Sequence, residues 1–435
     1  MEGWQNGNAL VSKTSGRKPL QVRALYPPLC YGIEKNQHLF MKKISYIIVI
    51  LALALGILGA IYYKNIKGAL PAVLPPSGDI VEDINTTEMP LKLPPGFSIS
   101  LYAKDLGNPR VMLWGPDGKM LVSVPNQGKV VVLSDSDGDG AAETHITVAE
   151  NLNRPHGLAS RDNKLYIAET DQVAEYDYVE GKAINKKKLF DLPGGGNHFS
   201  RTIMFEPYPN ENKMLVSVGS SCNVCNEENE NRAKILEYDF ATGRLEEFAK
   251  GLRNSVFMAI HPVSGDTWAT EMGRDNLGDD IPPDEINIVE KEKDYGWPWF
   301  YGKNIRDKSF EPNTGTVLDI HPDLIPPHVD LPAHSAPLGL AFFPEEGWPE
   351  EYWYNLLVAY HGSWNRTVPT GYKIVRIKLD AKGNYLDTED FIIGWLSGGK
   401  VYGRPVDIII QPGGTIFISD DKAGVIYRVN YTRPD

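Results

Sequence analysis

Short runs in which apolar and polar residues alternate recur along this chain from about residue 95 to its end. Each recurring unit has an apolar strand, a turn containing Pro, Gly, Asp or Asn, and two further alternating strands separated by a variable loop. Alternation with a period of two places one face of a strand in the core and the other outward. The six units begin at Trp114, Leu158, Phe205, Ile260, Phe342 and Ile410. The repetition predicts an all-β fold, a six-bladed β-propeller over residues 91–435, with a pair of β-sandwiches as the alternative.

A different pattern marks the N-terminal region, where residues 44–63 carry no charge and read ISYIIVILALALGILGAIYY. A helix of this length extends about 30 Å, the thickness of the hydrocarbon core of a membrane. Lys42 and Lys43 precede the run, so the positive-inside rule predicts that residues 1–43 are a cytoplasmic tail. We therefore expect a transmembrane anchor and an extracytoplasmic propeller, at the cell surface or in the periplasm. A cleaved signal peptide is the alternative.

The segments on either side of this run have no hydrophobic periodicity. Residues 64–90 are rich in proline and are predicted to be a linker. Met41 stands directly before the two lysines and has the form of a natural start, so residues 1–40 are a candidate for a start assigned too far upstream.

Net charge and cysteine content narrow the class of protein. The formal net charge of −12 argues against a nucleic-acid partner, which needs a basic face. Cys222 and Cys225 form a single C-x-x-C motif, and one pair cannot complete a four-thiolate zinc site. Outside the membrane such a pair is expected to form a disulfide. Asn226 follows Cys225, so this motif does not match the C-x-x-C-H pattern of haem attachment.

Several motifs directly before the repeating strands carry groups suited to chemistry. His198 follows a glycine-rich turn in GGGNHFSR, and a histidine there can titrate near neutrality and take a proton from a hydroxyl. Arg253 and Asn254, in GLRNS, combine a cation and an amide that suit a planar anionic ligand. Arg404, in YGRPVD, is a second cation in an equivalent position. A turn-capping histidine and ordinary surface ion pairs are the alternatives.

Further candidates lie in three other loops. His361 and Arg366 bound the segment HGSWNR, and His156 precedes a strand in RPHG. Gly273 and Arg274 lie in EMGRDN, where acidic and amide oxygens around a glycine turn are hard ligands that suit Ca²⁺.

The order of the motifs GGNHFSR, GLRNSVFM, EMGRDN, GSWNR and YGRPVD resembles the glucose/sorbosone dehydrogenase family, the soluble aldose sugar dehydrogenases that use pyrroloquinoline quinone. The resemblance covers roughly residues 95–432. It implies that His198 is the catalytic base and that Arg253 and Asn254 contact the quinone. It also implies that the backbone carbonyls of Gly273 and Arg274 hold a catalytic Ca²⁺, and that Arg404 binds carboxylates of the cofactor.

The chain departs from that family's best-known branch at Asn197, Arg274 and Tyr402, where the branch has Asp, Pro and Arg. The GSWNR loop suggests that His361 or Arg366 replaces a lysine of the glucose-oxidising branch. The expected function is oxidation of an aldose or related polyol by hydride transfer to pyrroloquinoline quinone, with electrons passing to an external cytochrome or quinone. The alternatives are a calcium-dependent lactonase or esterase and a non-catalytic binding propeller at the cell surface.

Overall fold

The computed structural model of this protein describes residues 43, 46, 49–57, 85–310 and 323–432. It divides into two units, Met1–Tyr63 and Lys64–Asp435. Residues 49–57 of the first unit are helical. Among the described residues, no helix is both long enough and apolar enough to span a membrane. The tail up to residue 42, most of the predicted anchor and most of the predicted linker lie outside the described residues, so these three segments stay predictions.

The described part of the second unit consists of short β-strands and two 3₁₀ turns, Pro125–Gln127 and Glu350–Tyr352. In chain order the strands are β1 (Phe97–Ala103), β2 (Met112–Trp114), β3 (Met120–Val124), β4 (Lys129–Ser134), β5 (Thr144–Ala149), β6 (Leu158–Arg161), β7 (Lys164–Ala168), β8 (Gln172–Val179), β9 (Lys182–Asp191), β10 (Ile203–Phe205), β11 (Lys213–Val218), β12 (Lys234–Asp239), β13 (Arg244–Lys250), β14 (Ser255–Ile260), β15 (Thr267–Glu271), β16 (Asp284–Val289), β17 (Lys293–Asp294), β18 (Phe300–Tyr301), β19 (Ile305–Arg306), β20 (Val329–Leu331), β21 (Pro337–Phe342), β22 (Leu356–Tyr360), β23 (Lys373–Leu379), β24 (Tyr385–Ile392), β25 (Leu396–Ser397), β26 (Lys400–Val401), β27 (Pro405–Gln411), β28 (Thr415–Asp420) and β29 (Val425–Tyr431).

These strands form six antiparallel sheets with four strands in each repeat, counted over residues 85–310 and 323–432. The sheets are β2–β5, β6–β9, β10–β13, β14–β16 with β20, β21–β24, and β27–β29 with β1. β17 adds to β13 in parallel, and β18–β19 and β25–β26 are small separate hairpins. The prediction of a six-bladed propeller is confirmed.

The last blade joins the two ends of the domain. β1 pairs with β29, with Phe97 opposite Tyr431 and Leu101 opposite Tyr427. Phe97 is buried and packs edge-on against Phe391, with 4.9 Å between the ring centroids. Because the first strand completes the last sheet, the ring closes without leaving that sheet one strand short.

The first strand of each sheet lies against the first or second strand of the preceding sheet, which forms the inner ring. Equivalent positions meet there: Gly157, before β6, donates its N–H to the carbonyl of Arg201, before β10, over 2.8 Å. A Cβ on Gly157 would lie 2.4 Å from that carbonyl oxygen, so this close approach needs glycine. Residues that precede the first strands are consequently gathered at one end of the ring.

Candidate active site

A cavity of about 250 Å³ lies where the segments before β10, β14, β21 and β27 meet. Its wall includes His198, Arg253, Gly273, His334, His361 and Arg404. All of these except His334 are residues that the sequence analysis singled out for chemistry. The structure therefore brings candidates from five separate motifs into one cavity.

His198 is held by its Nδ1 atom, which lies 2.8 Å from the backbone carbonyl oxygen of Ser220 and 3.0 Å from the Ser220 hydroxyl. A carbonyl oxygen only accepts, so Nδ1 carries the hydrogen of the neutral ring and Nε2 is the nitrogen able to take a proton. Burial, followed by the charge of Arg253, lowers the pKa of His198 to about 3. The expectation that this ring titrates near neutrality is therefore wrong, because the ring is neutral throughout the physiological range.

Gly219 allows this arrangement. A Cβ at that position would lie 2.7 Å from Cβ of His198 and 2.5 Å from Oδ1 of Asn254. Any side chain on residue 219 would push the histidine or the amide out of place. The close packing of these three residues thus depends on a glycine that the sequence does not mark as special.

Arg253 is buried and makes four hydrogen bonds to described residues. Its Nε and Nη2 donate to the backbone oxygen and the side-chain Oδ1 of Asn223 over 2.8 and 3.0 Å. Its Nη1 donates to the carbonyls of Met272 and Gly273 over 3.2 and 3.1 Å. Asp275 lies 3.7 Å from Nη2. The guanidinium is thereby fixed in the cavity wall with one weakly paired carboxylate.

The hydrogen bonds of the Arg404 guanidinium are to neutral groups. Its Nη1 lies 3.3 Å from Nδ1 of His361, and its Nη2 donates to the Tyr372 hydroxyl over 3.1 Å. The other ring nitrogen of His361 lies 2.9 Å from Asp421, which also accepts from Arg110 over 2.7 Å. Burial lowers the pKa of His361, so the neutral ring donates to Asp421 and accepts from Arg404. The charge of Arg404 is therefore oriented by the ring without being neutralised by it.

Oxygen atoms suitable for a calcium ion lie in the same wall, on Gly273, Asp275 and Asp284. Asp284 is buried, accepts the N–H groups of Gly273 and Ala336 over 2.9 Å each, and has its pKa raised to about 7 by burial. The Gly273 carbonyl already accepts from Arg253. These oxygens fit the hard-ligand chemistry of calcium, and an ion on the Gly273 carbonyl would share that oxygen with the guanidinium of Arg253 or replace it there.

One aromatic side chain in the wall is open to solvent. Trp364, in the segment after β22, lines the cavity with 74% of its surface exposed. Its neighbour Asn365 donates to Asp275 over 2.8 Å, which fixes the backbone next to the indole. An exposed indole on a fixed loop offers an apolar face to any molecule that enters the cavity.

The sequence motifs and the geometry agree with a match to a known family. A family model described as TrAA12-like matches residues 91–301 and 320–432, which cover most of the propeller. The chain belongs to the TrAA12-like family. An uncharacterized protein from Borreliella burgdorferi is 34% identical over 372 residues, covering 81% of this chain and 93% of that protein.

Two fungal enzymes with named activities or families are also similar to this chain. A pyrroloquinoline quinone-dependent pyranose dehydrogenase from Coprinopsis cinerea is 24% identical, over 77% of this chain and 54% of the enzyme's length. Its quinone domain in the holo form covers 80% of this chain and 100% of that domain, with a TM-score of 0.67 and 21% identity. The calcium structure of a Trichoderma reesei enzyme of carbohydrate-active family AA12 covers 80% and 100%, with a TM-score of 0.68 and 20% identity. This chain thus spans about half the length of the pyranose dehydrogenase.

Four residues predicted for the site are not among those that line the cavity. Arg274 turns to Asp307, 2.5 Å away, and Arg366 pairs with Asp280 at 2.7 Å. Asn254 is buried, with its backbone N–H on Glu271 and its amide against Met272. The fourth is His156, a fully buried ring that packs edge-on against Phe257 and has its pKa lowered by burial. An acid outside the wall pairs with the Arg366 side chain, and burial removes the amide and the imidazole from the wall. The role predicted for Arg274 belongs to its backbone carbonyl and stays a prediction.

The sequence analysis missed Asn223, Asp421 and Arg110, which hold the arginines and the histidine of the site. Arg110 stands before β2 as Arg253 stands before β14 and Arg404 before β27, so comparing the repeats could have found it. Asp421 follows β28 in the last repeat and Asn223 lies inside the C-x-x-C motif. Nothing in the local sequence signals the roles of those two residues.

Proposed function

We propose that this protein is a sugar dehydrogenase that binds pyrroloquinoline quinone in the cavity and uses it to oxidise a sugar hydroxyl. The observation that carries the proposal is the meeting of a neutral, oriented His198 with the cations Arg253 and Arg404 in one wall. The names of the related enzymes agree with it.

The charges of the cavity suit an anionic cofactor. Pyrroloquinoline quinone carries three carboxylates, and Arg404 presents a guanidinium whose side-chain contacts are a neutral ring, a hydroxyl and the Ser363 carbonyl. A carboxylate can pair with such a guanidinium through two parallel N–H bonds. A calcium-dependent lactonase would have no use for these cations, so they favour the dehydrogenase.

The chemistry requires a proton acceptor as well as a hydride acceptor. When bound, the quinone supplies the hydride acceptor. The carbon that is oxidised gives up a hydride while its hydroxyl oxygen gives up a proton, and Nε2 of His198 would accept that proton. The bond from Nδ1 to the Ser220 carbonyl keeps the ring in the tautomer and orientation that this step needs.

Calcium is part of the proposal. An ion held by Gly273, Asp275 and Asp284 would act as a Lewis acid toward a bound carbonyl oxygen. Because the Gly273 carbonyl accepts from Arg253, calcium at this oxygen would bring two positive charges close together, and the hydrogen bond would lengthen or be replaced.

A sugar is the substrate class that the mouth of the cavity favours. Pyranose rings present C–H groups on their faces, and these pack against the negative face of an indole such as Trp364. The sugar's hydroxyls would meet the polar wall formed by Asp275, Asn365 and the histidines.

The test is to titrate purified, metal-depleted protein with pyrroloquinoline quinone, with and without Ca²⁺, and then to screen sugars with an artificial dye as electron acceptor. We expect saturable quinone binding and sugar-dependent dye reduction. Arg366→Ala is the matched control, since Arg366 pairs with Asp280 outside the cavity wall and its loss should leave quinone affinity unchanged. Hydrolysis of a lactone without any quinone binding would overturn the proposal.

We propose also that residues 44–63 anchor the protein in a membrane, that the propeller is extracytoplasmic, and that an external cytochrome or quinone receives the electrons. The disulfide between Cys222 and Cys225 supports an oxidising compartment. Membrane fractionation and protease treatment of intact cells test the first two points. Recovery of the full chain in the soluble cytoplasmic fraction would contradict them.

A further inference from the structure

The C-x-x-C segment lies against both kinds of functional side chain in the cavity. Ser220, two residues before the motif, contacts His198 through its carbonyl and its hydroxyl. The same hydroxyl donates to the carbonyl of Cys222 over 2.7 Å. Asn223, inside the motif, contacts Arg253 twice. One short segment therefore supports the proposed base and a cofactor-binding cation.

Asn223 makes the larger number of these contacts. Its backbone oxygen and its Oδ1 accept from Arg253 over 2.8 and 3.0 Å. Oδ1 also accepts the backbone N–H of Asp275 over 2.8 Å, and Nδ2 donates to the backbone oxygen of Asp275 over 3.1 Å. The amide thus ties Arg253 to the segment that carries Asp275, and both of those residues line the cavity.

The disulfide between Cys222 and Cys225 closes a loop around Asn223. Because the two ends of that loop are covalently joined, the backbone at residue 223 has few alternative conformations. A buried guanidinium needs acceptors for its N–H groups, so the position of Asn223 determines the position of the Arg253 guanidinium. Without the Asn223 side chain, Nη2 would lose its acceptor and be left with Asp275, now 3.7 Å away, and the backbone oxygen that accepts from Nε would be less firmly placed.

We propose that Asn223, fixed by the Cys222–Cys225 disulfide, is the positioning residue that sets the place of Arg253 in the cavity, and that the disulfide thereby sets the cavity's affinity for an anionic ligand. This inference rests on the proposed function for the identity of the ligand. The geometric part, from disulfide to Asn223 to Arg253, is independent of it.

The first test uses ligand-free protein. We expect the Nε–H of Arg253, assigned by its loss in Arg253→Lys, to exchange with solvent at least about tenfold faster in Asn223→Ala and in Cys222→Ser/Cys225→Ser than in the wild type. Asn229→Ala is the control, since Asn229 is exposed and its side chain accepts from the nearby N–H of Asn231. Unchanged exchange in both test variants would overturn the inference, whether or not the protein binds a quinone.

The second test measures quinone affinity. We expect Asn223→Ala to raise the dissociation constant of pyrroloquinoline quinone about tenfold or more, while turnover at saturating quinone changes less than about threefold. Dithiothreitol, which is oxidised to its cyclic disulfide as the two cysteines become thiols, should weaken binding in the wild type but add little in Asn223→Ala. The same non-additivity is expected when Cys222→Ser/Cys225→Ser is combined with Asn223→Ala.

The outcomes separate the two proposals. A wild type that does not bind quinone contradicts the proposed function and leaves the exchange experiment to decide the inference. The inference is contradicted if the wild type binds quinone equally well with its disulfide oxidised or reduced, and Asn223→Ala binds as tightly as the wild type. That result leaves the proposed function standing. Additive losses would show that the disulfide acts on affinity by a route other than Asn223, which also contradicts it.

Discussion

Glu285 offers a quantitative test of the electrostatics behind the cavity. It lies on β16 directly opposite Glu271 on β15, and it is buried. Its Oε1 accepts the N–H of Gly302 over 2.9 Å, and its Oε2 accepts from Nδ2 of Asn287 over 3.1 Å. Burial, followed by the charge of Glu271, raises the pKa of Glu285 from 4.5 to about 8. At pH 7 the folded protein therefore holds a proton on this carboxyl that the unfolded chain has released.

The consequence for stability has a definite sign. Between pH 4.5 and about 8 the folded state binds one more proton than the unfolded state, so stability falls as the pH rises through this window. At about 1.4 kcal/mol for each pH unit the loss amounts to at most about 5 kcal/mol, and relaxation around the site reduces it to roughly 2–5 kcal/mol. Below pH 4.5 both states are protonated, and the contribution of Glu285 is fully favourable there.

Glu285→Gln removes this loss, because glutamine is neutral in both states. Its oxygen can still accept from Gly302. Its new amide group can donate to Oδ1 of Asn287, which has no hydrogen-bond partner in the described part of the chain, once the Asn287 amide rotates. We expect the variant to be more stable than the wild type by roughly 2–5 kcal/mol at pH 8 and within about 1 kcal/mol of it at pH 5.

The measurement is urea unfolding of the full-length protein at pH 5 and pH 8, followed by tryptophan fluorescence. The control is Glu228→Gln, at an exposed carboxyl, which should give the same small difference at both pH values. If the stability difference between Glu285→Gln and the wild type were independent of pH, the reasoning from burial would be refuted.

Three other predictions concern the cavity. His198→Ala should lower turnover by about 10²–10⁴-fold in steady-state assays while leaving quinone affinity nearly intact. Because burial lowers the pKa of His198, the acid limb of the wild-type kcat/KM profile should lie below pH 5, and a limb near pH 6.5 would contradict this. Arg404→Ala should weaken quinone binding by about tenfold or more in a fluorescence titration, since it removes a charge-assisted contact, and unchanged affinity would argue against a role for Arg404 in binding. Trp364→Ala should raise the KM for sugar several-fold with little change in kcat, and Trp364→Phe should recover most of the loss. An equal fall in kcat would show that the indole does more than bind the sugar ring.

The fold could be predicted because its information is local. Each blade repeats the same order of alternating strands and turns, and the alternation alone fixes which side chains face the neighbouring sheets. The position of Arg253 and Arg404 before the first strands of their blades then predicts that they lie at the same end of the ring, since the first strands of all the blades surround one axis.

The contacts that orient the site could not be predicted because they join distant parts of the chain. Asp421 and Arg110 are separated by 311 residues, and His361 and Asp421 by 60. Such pairs depend on how the blades are placed around the ring, and the pair of Arg110 and Asp421 joins the first blade to the last. Arg366 was predicted for the site because its loop carries the right groups, yet Asp280, from another blade, turns it away. A motif identifies residues capable of the chemistry, whereas neighbours from other blades decide which of them face the cavity.

The positive charge of Arg253 has two effects that belong together. After burial it is the largest cause lowering the pKa of His198, so it keeps the ring unprotonated at moderate pH. The same charge faces the cavity in which an anion would bind. Moving the guanidinium away from Asn223 and the Met272 carbonyl would weaken both effects at once. The four hydrogen bonds to Arg253 therefore fix one charge that keeps His198 neutral and also faces the ligand cavity, and this explains why so many backbone and amide oxygens are directed at one buried side chain.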